Sequence, residues 1–238
     1  DWIRTFVATH GIGKGRLAIA ALFDGSRPIA ILPLVVTARL GVRSARLIGW
    51  GIGNADWMML DRAALTCLDR GALDRFFAEI ARRTGADLLA LHSQPEAWGG
   101  VANPLLVFPH QPSPDHFYGA KLGTERLNAK RIRNIERGKR RLEETFGAVR
   151  LVRATTPEAI DAVHAEFLRQ RGLRFREMGI ANVFAEPWFA DFFRSAAREG
   201  LAQAQPVMAM HALYAGDAIV ATSCGCHCGT HFSQYINS

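Results

Sequence analysis

The residue types best suited to moving a proton crowd near the end of the sequence, where His227, His231, Ser233 and Tyr235 follow one another closely. In an extended strand alternate side chains share a face, which groups 231, 233 and 235. An imidazole, a hydroxyl and a phenol in a row can accept, relay and donate a proton. His231 is the candidate base. The plainer reading of each is a satisfied core residue on an apolar strand. No carboxylate follows Asp217.

Three cysteines, Cys224, Cys226 and Cys228, interleave with these groups, and with His227 and His231 they make up the ligand types zinc prefers. The spacing opposes a metal centre. On a strand the three thiols point one way at about 7 Å intervals while His227 points the other, so a tetrahedral set would need a sharp reversal of the chain. The fourth cysteine, Cys67, is remote. The expectation is small buried residues on a central strand, no metal, and no disulfide framework, which implies a reducing, cytoplasmic setting.

Anion-binding chemistry has three candidate places. Arg174 and Arg176, within the run Arg169 to Glu177, would share a side if that stretch is extended, and guanidinium groups bind carboxylates or phosphates bidentately. Gly51, Gly53 and Asn54 lie in a glycine-rich stretch that would let a backbone approach a nucleotide phosphate, although its spacing matches neither a P-loop nor a dinucleotide fingerprint, and a plain turn also explains it. The third is a basic run. Lys121 to Arg141 holds nine basic residues against Glu125 and Glu136, which equals the whole net charge of +7.

That run reads as a helix from Leu127 to Phe146, ended by Gly147. On a helical wheel Ile132, Ile135, Leu142 and Phe146 share one face, while Lys130, Arg133, Arg137, Arg140 and Arg141 lie opposite, with Lys139 among the apolar positions. Twenty residues give about 30 Å of rod. The face suits a solvated surface, an anionic substrate through Arg133 and Arg137, or nucleic acid. Nucleic acid is not favoured, because the run from Lys121 to Arg141 contains no aromatic ring to stack a base.

These groups need a scaffold. Arg16–Asp24 and Ile29–Ala38 read as a hairpin around Gly25-Ser26-Arg27-Pro28; strands Arg46–Gly49 and Trp57–Leu60, a helix over Leu73–Arg83 and a strand Asp87–His92 follow. Four prolines between Val101 and Tyr118 mark an irregular connection. After the basic helix come strand Val149–Arg153, a helix from Thr156 as N-cap and Pro157 at N1 to about Arg171, a helix Trp188–Arg198, and strands Val207–Tyr214, Ala218–Cys226 and His231–Ile236. The class is α/β, an α+β arrangement of helices on a mixed sheet. The first hairpin and the one around Gly216-Asp217 resemble each other, which suggests two related halves.

The composition is that of an ordinary globular chain, 49% hydrophobic and 21% charged. No apolar run approaches the roughly 18 residues of a spanning helix. The chain opens without Met, so an N-terminal piece is expected to precede Asp1.

Taken in order, several stretches resemble the GNAT-like acetyltransferases of the cellulose-biosynthesis type, related to the Fem transferases, in which two GNAT units stand in tandem. They are Ile31-Leu32-Pro33-Leu34, Gly49 to Asp56, Asp87-Leu88-Leu89, Lys130-Arg131-Ile132-Arg133-Asn134-Ile135-Glu136-Arg137 with Arg140 to Glu144, and the Gly216-Asp217 hairpin. The resemblance implies halves at 1–118 and 148–238 joined by the basic segment 119–147, with the second half ending after its fourth strand, before a helix N-terminus that would hold the donor's pyrophosphate. It implies acetyl-CoA as acyl donor and a saccharide or amine as acceptor of N- or O-acyl transfer. The competing expectations are a Fem-type aminoacyl transferase using charged tRNA and a non-catalytic nucleic-acid-binding or scaffold module.

Overall fold

The computed structural model describes residues 2–49, 57–113, 116, 119 and 127–238, and among them no helix is long and apolar enough to cross a membrane. The chain forms two compact units, Ile12–Tyr118 and the combination of Asp1–Gly11 with Gly119–Ser238. The latter begins with helix α1 (Trp2–Thr9), an element not anticipated from the residue pattern.

In the unit of residues 12–118, β1 (Arg16–Asp24) and β2 (Arg27–Arg39) pair antiparallel across the two-residue turn Gly25-Ser26, with Gly25 at φ +58°. The pairing runs Asp24↔Arg27 and Phe23↔Pro28, then skips to Leu22↔Ala30, so Ile29 is a bulge residue. A second two-residue turn, Leu40-Gly41, leads to β3 (Val42–Leu47), which begins earlier than expected. β4 is only Met59–Leu60 and pairs with β2. Helix α2 (Arg70–Thr84) starts where the Asp69 carboxylate accepts from the Ala72 N–H at 2.7 Å and ends at left-handed Gly85. β5 (Leu88–Ala90) then lies parallel to β3, and β6 (Ala97–Trp98) pairs with β7 (Val101–Ala102). Leu32, Leu34, Leu73, Phe76 and Ile80 join sheet to helix in one apolar core.

In the other unit, α3 (Ala129–Phe146) precedes β8 (Val149–Arg153), α4 (Pro157–Met178), α5 (Pro187–Gly200), β9 (Met208–Ala215), β10 (Ala218–Cys228) and β11 (His231–Asn237). The sheet is antiparallel throughout, in the order β11-β10-β9-β8. Ile160, Val163 and Phe167 of α4 and Phe192, Phe193, Ala196 and Ala197 of α5 are buried with Met208, Met210, Ala212, Cys224 and Ile236 of the sheet. On α5 lies α1, with Trp2 and Phe6 edge-on to Phe192 and the Thr5 hydroxyl donating to Glu199 at 2.5 Å.

The β9–β10 hairpin repeats the β1–β2 hairpin closely. Its two-residue turn is Gly216-Asp217 with Gly216 at φ +57°; Ala215↔Ala218 and Tyr214↔Ile219 are followed by a skip to Leu213↔Ala221, so the third residue of the second strand, Val220, bulges as Ile29 does. Again a two-residue turn follows, Gly229-Thr230, and a third antiparallel strand. Mixed α/β construction is the fold class.

One sequence expectation fails outright. The stretch holding Arg174 and Arg176 is helix, not extended chain, because α4 runs through Gly172 to Met178 and stops at left-handed Gly179. Phe167, Arg171 and Phe175, spaced by four, carry it onward: Phe167 and Phe175 both contact the ring of Phe184, with the Arg171 guanidinium over Phe184 at 5.7 Å.

Candidate active site on the outer strand β11

The sheet turns one face to α4 and α5. On β10 this face carries Thr222, Cys224, Cys226 and Cys228 at alternate positions, grading from buried Cys224 to exposed Cys228. The register Cys228↔His231 and Cys226↔Ser233 puts His231 and Ser233 on the same face, His231 exposed beside the turn and Ser233 half-buried. Then the ladder slips. Cys224 pairs with Ile236 but Gly225 with Gln234, so Tyr235 is an extra residue in β11. Alternation brings 231, 233 and 235 to one face, and the bulge adds Ile236, buried at 5%.

Inside the bulge the Tyr235 hydroxyl donates to the Cys226 sulfur, and its ring stands 6.2 Å from Phe193 of α5. Burial raises the Cys224 thiol and the Tyr235 phenol well above their ordinary values and pushes Cys226 up to about 12. At neutral pH all three keep their protons. Tyr235 is therefore a hydrogen-bond donor rather than a base, and the cysteines are packing groups.

Gly225 makes the bulge possible. A Cβ there would sit 2.5 Å from the Ser233 carbonyl oxygen and 2.5 Å from the Phe232 ring, which lies over it on the far face of the sheet. That face also holds His227, 4.8 Å from Phe232 between ring centroids, and His211, which burial, Arg153 and His227 keep below the usual histidine range. The sheet thus separates His227 from the three cysteines. Among the described residues no group of three or more His, Cys, Asp or Glu is placed to hold a metal ion.

β11 is the last strand of its sheet, with β10 on one side and no strand among the described residues on the other. As an edge strand it turns one row of backbone N–H and C=O groups away from the ladder. Arg171 braces the end of this strand: its Nε donates to the Asn237 carbonyl at 2.5 Å and its Nη2 to Asn237 Oδ1 at 2.6 Å. Gln170 Nε2 holds the start of β10 through the Ile219 carbonyl at 3.0 Å.

The arginines picked from the sequence lie elsewhere. Arg174 and Arg176 are exposed on α4 and, two residues apart on a helix, point to opposite sides. Arg133 and Arg137 are exposed on α3, where Arg137 donates to Asn134 Oδ1 at 2.8 Å. Lys139, placed by the wheel among the apolar positions, pairs with Glu143 at 3.6 Å. Helix α3 buries no residue, and Ile132, Ile135 and Phe146 stay 42%, 55% and 54% exposed. Gly51, Gly53 and Asn54, with Lys121 and Arg126, fall outside the described residues.

Two polar residues that matter here escaped the sequence reading. Arg171 sat among the arginines of its segment, but only its partner Asn237 singles it out. His164 occupies a core position of α4, four residues after Ile160 and beside Val163, and that apolar spacing is the signal that could have found it.

Among curated proteins none matches the chain. Residues 129–238, from α3 through β11, match the family described as an acetyltransferase (GNAT) domain. The bulged sheet lies wholly inside that match, which covers just under half of the chain and supports an acyltransferase enzyme.

Proposed function

We propose that the chain transfers an acetyl group from acetyl-CoA to an amine or hydroxyl of a saccharide or amine acceptor, and that the transfer takes place along the outer edge of β11. One observation carries this: the bulge at Tyr235 lies on the outermost strand of the matched domain, where backbone N–H groups face outward. Acyl transfer from a thioester needs donors aimed at the oxygen that becomes negative, and fixed backbone amides supply them without reorganisation. An extended, amide-bearing donor can also bond along such an edge as an added strand would.

The chain's own groups divide the work. Outward amides of β11 hold the thioester carbonyl. His231, exposed at the start of the strand, takes the acceptor's proton, Ser233 orients the acceptor, and Tyr235 keeps its proton and fixes the bulge. The cationic surfaces at Arg174, Arg176, Arg133 and Arg137 attract an anionic acceptor.

The unit of residues 12–118 is a second, related GNAT-like half of the cellulose-biosynthesis type. Its support is the shared pattern of two-residue turn, bulge at the third residue and second two-residue turn. Four free cysteines suit a reducing, cytoplasmic setting.

Calorimetric titration of the chain with acetyl-CoA is the test. Saturable heat is expected, and no heat at millimolar ligand would overturn the reading. The exposed cations of α3 favour one alternative, a Fem-type transfer from charged tRNA; it predicts tRNA binding that weakens steeply with salt.

A further inference from the structure

Helix α3 runs for 18 residues and buries none of them; on the whole helix Leu142 alone is half-buried and the rest are exposed. Its stripe of Ile132, Ile135, Leu142 and Phe146 therefore meets solvent. Apolar residues exposed singly are ordinary, but four along one helical face make a surface.

The helix holds this surface out with little support of its own. The Asn128 side chain caps its start by accepting from the Arg131 N–H at 2.8 Å, and Lys139 pairs with Glu143 at 3.6 Å. Other features work against it. Lys130 and Arg131 stand at the positive end of the helix dipole, and Glu143 and Glu144 at the negative end. Gly138 sits mid-helix, where glycine weakens the element, and a Cβ there would meet nothing within 4 Å, so no close approach calls for it. A helix of this length draws most of its stability from burying an apolar face. Here the face is present and uncovered.

Charge says what would cover it. Seven lysines and arginines of α3 stand against three glutamates, with five of the cations opposite the stripe, Arg131 at its border and Lys139 within it. A fitting partner offers negative charge together with an apolar interior. Nucleic acid offers the charge but has no use for an aliphatic stripe. A groove on an acidic protein would meet the stripe but leave the opposite cations facing away. A lipid leaflet is wider than the helix, and cations one helix diameter from it, about 10–12 Å, still lie near the reach of its field, about 8–10 Å at ordinary salt.

We infer that α3 is a peripheral anchor that lies flat on a bilayer rich in anionic lipid, its stripe among the outer acyl carbons and its cations at and above the headgroups. Arg131 and Lys139 lay their methylene stems along the apolar boundary and keep their charged ends with the phosphates. The helix rests on the bilayer and does not cross it. This goes beyond the acyl-transfer reading and does not depend on it.

The test mixes the whole chain with vesicles of phosphatidylcholine alone or of equal parts phosphatidylcholine and phosphatidylglycerol, and separates bound from free protein by sedimentation. Binding is expected on the anionic vesicles only. A chain carrying Ile132→Ser and Ile135→Ser keeps every charge and should bind at least about tenfold more weakly. One carrying Arg140→Gln and Arg141→Gln should also bind more weakly and respond less to salt. All four positions are exposed, and matching urea midpoints confirm that the variants fold. Hydrogen–deuterium exchange of the unsubstituted chain on anionic vesicles should show new protection across 129–146, a readout that needs no variant. Equal binding to both vesicle types, undiminished binding of the serine variant, or protection that omits α3 would overturn the inference. So would a chain that ignores anionic vesicles, whether because its stripe is already covered in solution or because the cations serve nucleic acid, which retention of transfer RNA would reveal.

Discussion

The two three-stranded ladders β1-β2-β3 and β9-β10-β11 share both turns and the bulge after the first turn, and part company in the third strand. From Arg39↔Val42 to Leu34↔Leu47 the β2–β3 pairing is regular, and β3 goes on to receive β5 in parallel. Along β10–β11 the pairing slips at Tyr235, and the far edge takes no strand among the described residues. Counting from the first turn, Gly225 stands where β2 has fully buried Leu34. The first ladder spends that position on packing, whereas the second gives it up so that Phe232 and the Ser233 carbonyl can close over it. One scaffold thus appears as a packed sheet and as a sheet with an open, kinked edge, and the matched acetyltransferase domain contains the latter.

The largest test of this difference removes the space at Gly225. In Gly225→Ala the new methyl meets backbone, which cannot swing aside, so the β10–β11 ladder should lose about 3 kcal/mol, the upper range for overpacking, read as a lower urea midpoint. Alanine substitution of Leu34 should cost a similar amount through a cavity but leave β11 intact. If Gly225→Ala unfolds like the parent chain, the close approach does not govern the bulge.

A smaller effect is expected at the brace. Arg171→Ala removes both bonds to Asn237 and should cost about 1–3 kcal/mol, while Arg171→Lys, lacking the planar fork, should recover only part of it. Amide exchange at Asn237 and Ser238 reads the outcome. Equal protection in all three proteins would show that the strand end is held by its ladder alone.

The smallest concerns pH. His164 is held below the ordinary histidine value, first by burial and then by Arg194, with Asp161 and Asp191 acting the other way. The unfolded chain then binds its proton more readily than the folded one, so this contribution is full above about pH 6.5 and is lost as pH falls from there toward the lower folded value. Urea unfolding of the parent chain should weaken across that window more steeply than that of His164→Asn; parallel curves would contradict the assignment.

Strong local signals made much of this fold legible. Thr156-Pro157 opens α4 with the Thr156 hydroxyl accepting from the Ala159 N–H at 3.2 Å, and the glycine turns mark the hairpins. The alternation of 231, 233 and 235 placed three candidate groups on one face. What stayed hidden depends on partners distant in sequence. The bulge at Tyr235 exists only relative to β10, and Arg171 acquires meaning only once Asn237 reaches it. Arg174 and Arg176 were read as extended because the helix was expected to end at about Arg171, whereas it runs on to Met178, where Phe175 meets Phe184. The apolar stripe of α3 is exposed at Ile132, Ile135 and Phe146, and at the end of the helix the Phe146 carbonyl lies against Gly216.

The most direct test compares the two third strands in the intact chain, by hydrogen–deuterium exchange with and without acetyl-CoA. A transfer site on the outer edge of β11 predicts new protection across residues 231–237 and none across 42–47. Protection confined to 42–47, or no change in either strand at saturating acetyl-CoA, would contradict it.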